Sequence, residues 1–215
     1  RFLKSIPSSA KALYLLGDTW DFWYEYSEFM PKDGSRVTAA LLNLVHDGGE
    51  GHFFPGNHDM WVRDFFESNG IIMHSQPYFG SIEGKEFCLG HGDIIGGTDI
   101  GYRFLHWVYT SPVTQFVFRL MDPRLLFKLT RRWFRFSRNS HKPFEFDPER
   151  QRIVQWAREM LKSRKVDYFV FGHFHRDVRL TLGDGAEFFI MGDWVNDSPY
   201  FFFDGVSLQA KTFEG

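Results

Sequence analysis

Four short apolar runs in this chain each end at a glycine that is followed by Asp, Asn or His. The first two runs end in Gly17-Asp18 and Gly56-Asn57, and the last two end in Gly90-His91 and Gly172-His173. A brief apolar run that is closed by glycine is typical of a buried β-strand. In open α/β sheets, ligands bind at the carboxyl edge of the strands. The pattern therefore predicts an α/β fold whose polar side chains meet at one sheet edge.

The residue types at these strand ends are those of metal ligands. Carboxylate, amide oxygen and imidazole, without thiolate, suit Mn, Fe or Zn and do not match a closed structural zinc site. His173 and His175 are two residues apart at a strand end, so they can diverge toward two metals while one Asp carboxylate bridges them. Two metals about 3.5–4 Å apart stabilise an in-line displacement at phosphorus.

The order of these motifs resembles that of the calcineurin-like metallophosphoesterases. The chain carries Gly-Asp-x-x-Asp at 17–21, Gly-Asn-His-Asp at 56–59, Gly-His at 90–91 and Gly-His-x-His at 172–175. The aromatic run at 19–23 and the long insert between the last two motifs also resemble the UDP-2,3-diacylglucosamine hydrolases of lipid A biosynthesis. The resemblance implies an αββα sandwich of two mixed sheets with a helical cap insertion.

The resemblance also implies which residues bind metal. Asp18 matches the carboxylate that bridges two divalent ions, and Asn57, His91 and His173 match the other ligands of one ion. His175 matches a ligand of the second ion. The implied cofactor is a pair of divalent ions, with Mn²⁺ as the first expectation and Fe or Zn as alternatives.

Three further residues match the catalytic machinery of that family. His58 matches the residue that contacts the phosphate and protonates the leaving oxygen, and Asp59 matches the residue that orients it. Asp21 matches a carboxylate that supports the ligands without binding metal. The family also opens with an Asp-x-His motif at the end of a first strand. Nothing before Asp18 supplies this motif, so we expect the chain to begin after that strand.

The charge of the chain is unevenly divided. The formal net charge is −2, yet residues 99–142 hold nine Lys or Arg against two Asp, a local charge of +7 that leaves −9 for the rest. A change of this kind indicates a separate structural unit. We therefore predict a metallophosphoesterase core over 1–98 and 143–215 and a basic helical cap over 99–142.

Helix signals divide the cap and the core. Ser111-Pro112 and Asp122-Pro123 each pair an N-cap residue with Pro at the first helical position, which predicts three cap helices of about ten to fifteen residues. Further helices are predicted over 36–46, 61–67 and from 146 to about 163. A hairpin turn over 81–86 predicts a mixed sheet, and later strands are predicted over 166–171, 187–191 and 200–203.

The aromatic residues of the cap allow several interpretations. Ten of them lie among the nine basic residues of 99–142, and burial of a cap against the core accounts for part of this composition. Basic helices rich in Trp and Phe are also what interfacial membrane binding requires. Bases of single-stranded nucleic acid stack on such rings too, but the Pro-broken helices and the acidic core make this the third choice. The aromatic stretch 20–26 is either loop packing or a wall of the substrate pocket.

A diacylated substrate would need the cap for its acyl chains. We predict that Trp107 and Phe118 contact those chains. Polar and basic residues near the return to the core are predicted to hold phosphate or sugar: Arg135, Arg138, Asn139 and Lys142.

The expected function is hydrolysis of the pyrophosphate bond of UDP-2,3-diacylglucosamine to UMP and 2,3-diacylglucosamine 1-phosphate. The first alternative is a phosphoesterase that acts on a soluble nucleotide or phosphoprotein, which would not need an apolar chamber in the cap. The second is a non-catalytic binding protein of the same fold. The expected partners are the nucleotide-linked lipid and a membrane surface, with no nucleic acid and no obligatory protein partner.

Composition favours a cytoplasmic protein, and the resemblance implies that it is peripheral on the inner face of the cytoplasmic membrane. Cys88 is the single cysteine, so the chain contains no disulfide framework. No apolar run reaches the 18 or more residues of a membrane span, and no signal peptide is visible.

Overall fold

The computed structural model of this chain describes residues 1–7, 9–26, 32, 34–140 and 146–214, with the backbone alone for 131 and 133–140. The helices in the described residues are α1 Phe2–Ser5, α2 Ser35–His46, α3 Phe65–Ser68, α4 Ile100–Thr110, α5 Pro112–Leu120, α6 Pro123–Ser140, α7 Arg152–Leu161 and α8 Trp194–Asp197. The strands are β1 Ala12–Leu15, β2 Glu50–Phe53, β3 Ile72–Met73, β4 Tyr78–Ile82, β5 Lys85–Gly90, β6 Tyr168–Phe171, β7 Val178–Thr181, β8 Glu187–Ile190, β9 Pro199–Phe203 and β10 Leu208–Thr212.

The described strands form three sheets. The first sheet has the order β1-β2-β3 and is parallel throughout. The second sheet has the order β4-β5-β6-β8-β7, with β5, β6 and β8 parallel and the outer strands β4 and β7 antiparallel to their neighbours. Strands β9 and β10 form a separate antiparallel pair. The predicted hairpin is confirmed as β4–β5, and the mixed sheet that it implies is the second one.

Three apolar clusters between these elements define an αββα layering. The outer face of the first sheet packs against α2 and α3 through Leu41, Phe53 and Phe66. The second sheet packs against α7 through a cluster that includes Val154 and Phe169. A further cluster joins the first sheet to the second and to the β9–β10 pair.

Strand β6 has an uninterrupted apolar sequence because both of its faces are covered. All four of its residues are buried, because neighbouring side chains point to opposite faces of a sheet that is covered on both sides. Phe169 and Phe171 pack toward α7, whereas Tyr168 and Val170 pack toward the first sheet. The adjacent strand β5 places Cys88 in the cluster that faces α7, where it is fully buried.

The cap contains the three helices that its Ser-Pro and Asp-Pro pairs predict, namely α4, α5 and α6. The third is longer than expected, at 18 residues. Elsewhere the helix predicted over 61–67 forms only at Phe65–Ser68, because Trp61 instead bridges to Tyr24 in an extended pairing. The helix predicted from 146 begins at Arg152.

Candidate metal centre

The carboxyl ends of β1, β2, β5 and β6 lie at one edge of the two sheets. β1 and β2 are parallel neighbours, and so are β5 and β6. The turns that follow them are hydrogen-bonded to one another: the Gly172 N–H donates to the His91 carbonyl at 2.9 Å. The strand-end motifs are therefore brought together, as parallel strands require.

Gly17 and Gly56 allow these turns to approach closely. Gly17 has a φ of 84°, a conformation that favours glycine. A Cβ on Gly17 would lie 2.6 Å from His91 Nδ1, and a Cβ on Gly56 would lie 2.4 Å from Asp18 Oδ1. Both distances are too short for non-bonded atoms. Close approach of the turns is thus the physical reason for glycine at these two strand ends.

Four of the residues predicted to bind metal lie close together: Asp18, Asn57, His91 and His173. Asn57 Oδ1 is 3.2 Å from His91 Nε2 and 3.0 Å from His173 Nδ1. The two ring nitrogens are 3.2 Å apart, and Asp18 Oδ2 is 3.3 Å from His91 Nε2. The ligand atoms of Asp18, His91 and His173 all lie within 4.8 Å of one another.

A backbone carbonyl fixes the orientation of His91. The ring is buried, and its Nδ1 lies 2.8 Å from the Leu16 carbonyl oxygen. Because a carbonyl only accepts hydrogen bonds, Nδ1 carries the proton, and Nε2 faces the cluster. This arrangement is the usual support of a metal-binding histidine.

The backbone at the cluster adopts a conformation that residues with side chains rarely adopt. Asp18, His173 and His175 have φ values of 51°, 66° and 50°. Positive φ in residues other than glycine is uncommon, and such strain concentrates at functional sites. Three such residues within two motifs indicate that these turns are shaped to aim their side chains.

The cluster fits a divalent cation. Ligands at adjacent positions around an ion with bonds of about 2.0–2.2 Å lie roughly 3.0–3.5 Å apart. Asn57 Oδ1, His91 Nε2 and His173 Nδ1 have separations of 3.0 to 3.2 Å, which match that range. The donor set combines carboxylate, amide oxygen and imidazole, which suits Mn, Fe or Zn.

The structure does not place His175 in this cluster. The residue follows His173 by two positions and is exposed. The group of candidate ligands found among the described residues contains Asp18, His91 and His173, without His175. Its role as a ligand of a second ion stays a prediction.

Asp59 contacts the backbone of both strand-end turns. It is fully buried, and its carboxylate accepts the N–H groups of Gly56 at 2.7 Å, Thr19 at 2.8 Å and Asp18 at 3.2 Å. Its carboxylate therefore holds the Gly-Asp turn and the Gly-Asn turn in register, because buried N–H groups need acceptors. That Asp59 also orients His58 stays a prediction.

The His58 ring lies at the rim of the cluster. Its Nδ1 is 3.0 Å from the backbone carbonyl oxygen of Asp21, and its Nε2 is 4.0 Å from Asp18 Oδ2. The His58 N–H also donates to Asp18 Oδ1 at 2.9 Å. The carbonyl of Asp21, which belongs to the Gly-Asp-x-x-Asp motif, is therefore one group that orients His58.

Charge and burial compete within the cluster. Burial by itself would raise the pKa of Asp18, but the charge and hydrogen bond of His91 outweigh it and hold that pKa well below its usual range. Burial would lower the pKa of His91, yet the Asp18 carboxylate raises it to about 9. Burial, together with the charge of His91, lowers the pKa of His173 to about 4. Without metal, His91 is therefore protonated at neutral pH, and His173 is neutral.

An open cleft of about 3620 Å³ extends from α1 and the β9–β10 pair past the cluster to the underside of the cap. Inward-facing cap residues line it, including Leu105, Phe118, Met121 and Phe127. Phe118 also packs edge-on against Trp61, with 5.1 Å between ring centroids. Phe118 therefore lines this cleft, and its contact with acyl chains stays a prediction.

Trp107 lies on the other face of α4. Tyr102, Leu105 and His106 point into the cavity, whereas Trp107 is 65% exposed and is not part of the lining. Residues at this spacing on a helix point in different directions. The structure thus separates Trp107 from Phe118, although the sequence grouped them. Of the four predicted polar contacts, the side chains of Arg135, Arg138 and Asn139 and all of Lys142 lie outside the described residues.

The aromatic stretch after Asp18 packs against both the core and the cap, and its role as a wall of the substrate pocket stays a prediction. Trp20 and Trp23 pack in the core beneath the first sheet. Phe22 and Tyr24 pack with Leu126 of the cap. The Tyr24 hydroxyl donates to the Gln115 carbonyl at 2.7 Å, and the Trp61 indole donates to the Tyr109 carbonyl at 2.7 Å. The stretch therefore forms the seat on which the cap rests.

Sequence reasoning missed three residues that join the cluster to the cap: Gln76, Asp93 and Tyr102. Their side chains form a hydrogen-bonded chain beside His91. Asp93 follows Gly92 in the Gly-His-Gly-Asp stretch, so its carboxylate was visible, but no local pattern points to Gln76.

Comparisons with known proteins show which family and which proteins the chain resembles. Residues 1–177 match the profile of the calcineurin-like phosphoesterase family. The chain is 29% identical to the UDP-2,3-diacylglucosamine hydrolase of Porphyromonas gingivalis, over 99% of this chain and 87% of that protein. It is 28% identical to the UDP-2,3-diacylglucosamine hydrolase of Aromatoleum aromaticum, over 95% of this chain and 84% of that protein. Among solved structures, it is similar to phosphopantetheinyl hydrolase from Mycobacterium tuberculosis, with 14% identity, 93% and 87% coverage and a TM-score of 0.42.

Proposed function

This chain belongs to the calcineurin-like phosphoesterase family, and we propose that it hydrolyses the pyrophosphate bond of UDP-2,3-diacylglucosamine to UMP and 2,3-diacylglucosamine 1-phosphate. The observation that carries the proposal is the junction of two features in one cavity. A cluster of Asp, Asn and His side chains suited to a divalent ion lies at one end, and an apolar cap face lies beside it. Relatives that carry this substrate in their names match nearly the whole chain.

Asp18, Asn57, His91 and His173 would hold a divalent cation, and Mn²⁺ is the ion that we propose, with Fe or Zn as alternatives. When bound, such a cation polarises a phosphoryl oxygen and lowers the pKa of a coordinated water. The protein prepares this site by directing His91 Nε2 inward through the Leu16 carbonyl and by holding both turns on Asp59. His175 and Asp18 remain our candidates for a second ion.

We assign His58 to the phosphate and the leaving oxygen. Its Nδ1–H faces the Asp21 carbonyl, so its Nε2 points toward the cluster, 4.0 Å from Asp18 Oδ2. When protonated, that nitrogen can donate a hydrogen bond to a phosphoryl oxygen or a proton to the departing one. The departing oxygen belongs either to the uridine nucleotide or to the sugar phosphate.

The acyl chains would lie under the cap. Burying one CH₂ contributes about 0.8 kcal/mol, so even a few buried carbons add substantially to substrate binding. The inward cap residues Leu105, Phe118 and Met121 offer an apolar wall next to the cluster. We keep Arg135, Arg138, Asn139 and Lys142 as candidates for phosphate or sugar contacts, on their sequence position alone.

The outer face of the cap suits a membrane surface. Apolar side chains at helical spacing are exposed along α4 and α5: Ile100, Phe104, Trp107, Val113, Phe116, Val117 and Leu120. Basic residues flank them, including Arg103, Arg119 and Arg124. Helices with an exposed apolar stripe and basic neighbours bind at lipid interfaces.

None of the helices in the described residues has the length and apolar character needed to cross a bilayer. We propose that the protein binds peripherally to the inner face of the cytoplasmic membrane, from which the lipid substrate enters the cap.

One comparison of substrates tests the proposal. With Mn²⁺ present, kcat/KM for release of UMP from UDP-2,3-diacylglucosamine in detergent should be at least about tenfold higher than kcat/KM for hydrolysis of bis-p-nitrophenyl phosphate. We expect this difference because acyl burial contributes to binding. A preference for the soluble ester would indicate a phosphoesterase for soluble substrates. No hydrolysis of either compound would indicate a binding protein.

A further inference from the structure

Gln76, Asp93 and Tyr102 connect the metal-binding edge to the cap. Asp93 lies two residues after His91 and is 8% exposed. Its Oδ1 accepts a hydrogen bond from the Gln76 side-chain amide at 2.6 Å, and its Oδ2 accepts one from the Tyr102 hydroxyl at 2.9 Å. The Gln76 amide oxygen accepts the Gly92 N–H at 2.8 Å. One oxygen of this buried carboxylate is thus partnered by the core and the other by the cap.

Tyr102 places this connection beside the cluster. It lies in the first turn of α4, and its ring centroid is 6.2 Å from that of His173. The far end of α4 is held by Trp61, which donates to the Tyr109 carbonyl. The helix is therefore tied to the core at both ends. The hydrogen bond from Tyr102 to Asp93, called the tie below, sets the position of the inward face of α4 relative to the metal-binding residues.

We propose that Asp93 and Tyr102 are positioning residues whose hydrogen bond holds α4 so that the acyl chamber opens onto the metal-binding cluster. The inference rests on the proposed function for the identity of the substrate. Hydrogen bonds to an ionised acceptor are stronger than neutral ones. A buried carboxylate that loses one donor is left partly unpaired, so the loop and the helix would rearrange. A shift of α4 displaces the acyl wall first and leaves the phosphoryl-binding residues in place.

Tyr102→Phe tests the bond with little change in shape. We expect KM for UDP-2,3-diacylglucosamine to rise about tenfold, since one charge-assisted hydrogen bond is lost, while kcat stays within about twofold because the reacting groups are untouched. Hydrolysis of bis-p-nitrophenyl phosphate should remain at the wild-type rate. The matched control is Tyr109→Phe on the same helix, whose hydroxyl makes no hydrogen bond to any residue that the structure describes. The control should keep the wild-type KM.

Asp93→Ala and the double variant test whether the two residues act as one unit. Tyr102→Phe removes the donor and Asp93→Ala removes the acceptor of the same hydrogen bond, so the double variant should bind substrate about as well as the weaker single variant. Losses that multiply would overturn the proposal, because they would show that Asp93 and Tyr102 act independently.

Hydrogen–deuterium exchange of the metal-free protein provides a second measurement that does not depend on activity. The backbone amides of Ile100–Thr110 should exchange faster in Tyr102→Phe than in the wild type and in Tyr109→Phe. Unchanged exchange would overturn the proposal, and so would faster exchange with an unchanged KM, since the tie would then support the helix without positioning the chamber. If the wild type does not hydrolyse the lipid at all, the proposed function fails, whereas the exchange comparison still decides whether the tie holds α4.

Discussion

Asp59 shows how one buried carboxylate sets the distance between two ligands. It accepts backbone N–H groups from the turn that carries Asp18 and from the turn that carries Asn57. Burial, followed by the nearby charge of Asp18, raises the pKa of Asp59 to about 6. A Gly-Asn-His-Asp motif indicates that an acidic side chain is present at a strand end. It does not indicate which way that side chain points, because the direction depends on which N–H groups the neighbouring turn offers.

The two aspartates of the first motif should differ in their contribution to activity. Asp18→Ala removes a ligand at the centre of the cluster and should abolish hydrolysis and lower metal content. Asp21→Asn keeps the backbone carbonyl that orients His58, so the loss should be on the order of 10–100-fold. Activity assays with elemental analysis of both variants provide the measurement. Equal losses would contradict the separate roles assigned to the two carboxylates.

His58 should affect turnover without affecting metal binding. His58→Ala removes a donor that acts on charge developing in the transition state, so kcat should fall about 10²–10⁴-fold, the usual contribution of a general acid. Metal content should remain at the wild-type level, because His58 is outside the group of candidate ligands. Loss of metal by elemental analysis would identify His58 as a ligand instead.

Metal binding should release about one proton at neutral pH. Asp18 raises the pKa of His91 to about 9, so the metal-free protein carries a proton on this ring that must leave before Nε2 can bind an ion. Apparent Mn²⁺ affinity should therefore rise as pH increases from 6 to 8. Calorimetry in two buffers with different ionisation enthalpies measures the released proton. An affinity that does not change with pH would show that His91 is already neutral in the metal-free protein.

At the scale of elements, the cap helices have two apolar faces with different surroundings. Phe118 of α5 points inward and packs against the ring of Trp61. Trp107 of α4 points outward and is mostly exposed. A helix with apolar residues on both sides is expected where one side contacts the protein core and the other contacts a second apolar phase.

Substitutions on the two faces should have different effects on hydrolysis of the substrate dispersed in detergent. Phe118→Ala removes part of the chamber wall and should lower kcat/KM for the diacylated substrate in detergent about tenfold, or roughly 1.4 kcal/mol. Trp107→Ala should stay within about twofold in the same assay, because its side chain lies outside the cavity. The soluble phosphodiester serves as the control substrate. If Phe118→Ala slows its hydrolysis equally, the residue supports the seat of the cap and does not contact acyl chains.

The same elements show how far sequence patterns predict this fold. The family predicted from the four strand-end motifs is confirmed. The motifs can be recognised in the sequence because glycine and ligand residues must occur at fixed points along the chain. The cap helices were predicted because Ser-Pro and Asp-Pro pairs are local signals. Strands β3, β7 and β10 were missed, since β3 has only two residues and the other two are partly exposed. The link from Asp93 to Tyr102 depends on packing between distant segments, which no local pattern encodes.

At the scale of the whole molecule, positive charge and exposed apolar area occur together in the cap, whereas the remainder of the chain is acidic. An anionic lipid surface would attract the cap and repel the core. Such attraction weakens as salt shortens the Debye length from about 10 Å at 0.1 M to about 3 Å at 1 M. We therefore predict that the charge distribution favours one orientation of the protein on an anionic membrane.

Vesicle sedimentation should reveal this orientation. The wild type should bind vesicles that contain phosphatidylglycerol more strongly than vesicles of phosphatidylcholine alone, and high salt should weaken the difference. Val113→Asp, at a cap residue that is 71% exposed, should reduce binding several-fold. Val206→Asp makes the same change outside the cap, at a residue that is 75% exposed, and this variant should bind vesicles as the wild type does. Similar losses in both variants would indicate that added negative charge, and not cap contact, controls binding.

Cys88 gives the molecule a practical property. It is the single cysteine in the sequence, it is fully buried, and burial raises the pKa of its thiol. Thiol reagents require an accessible thiolate, so the native protein should resist labelling. A cysteine introduced at an exposed position would then carry a fluorophore or spin label alone, without a cysteine-free background. One label on the outside of α4 and another on α8, in separate variants, would report which side of the protein enters a lipid environment during turnover.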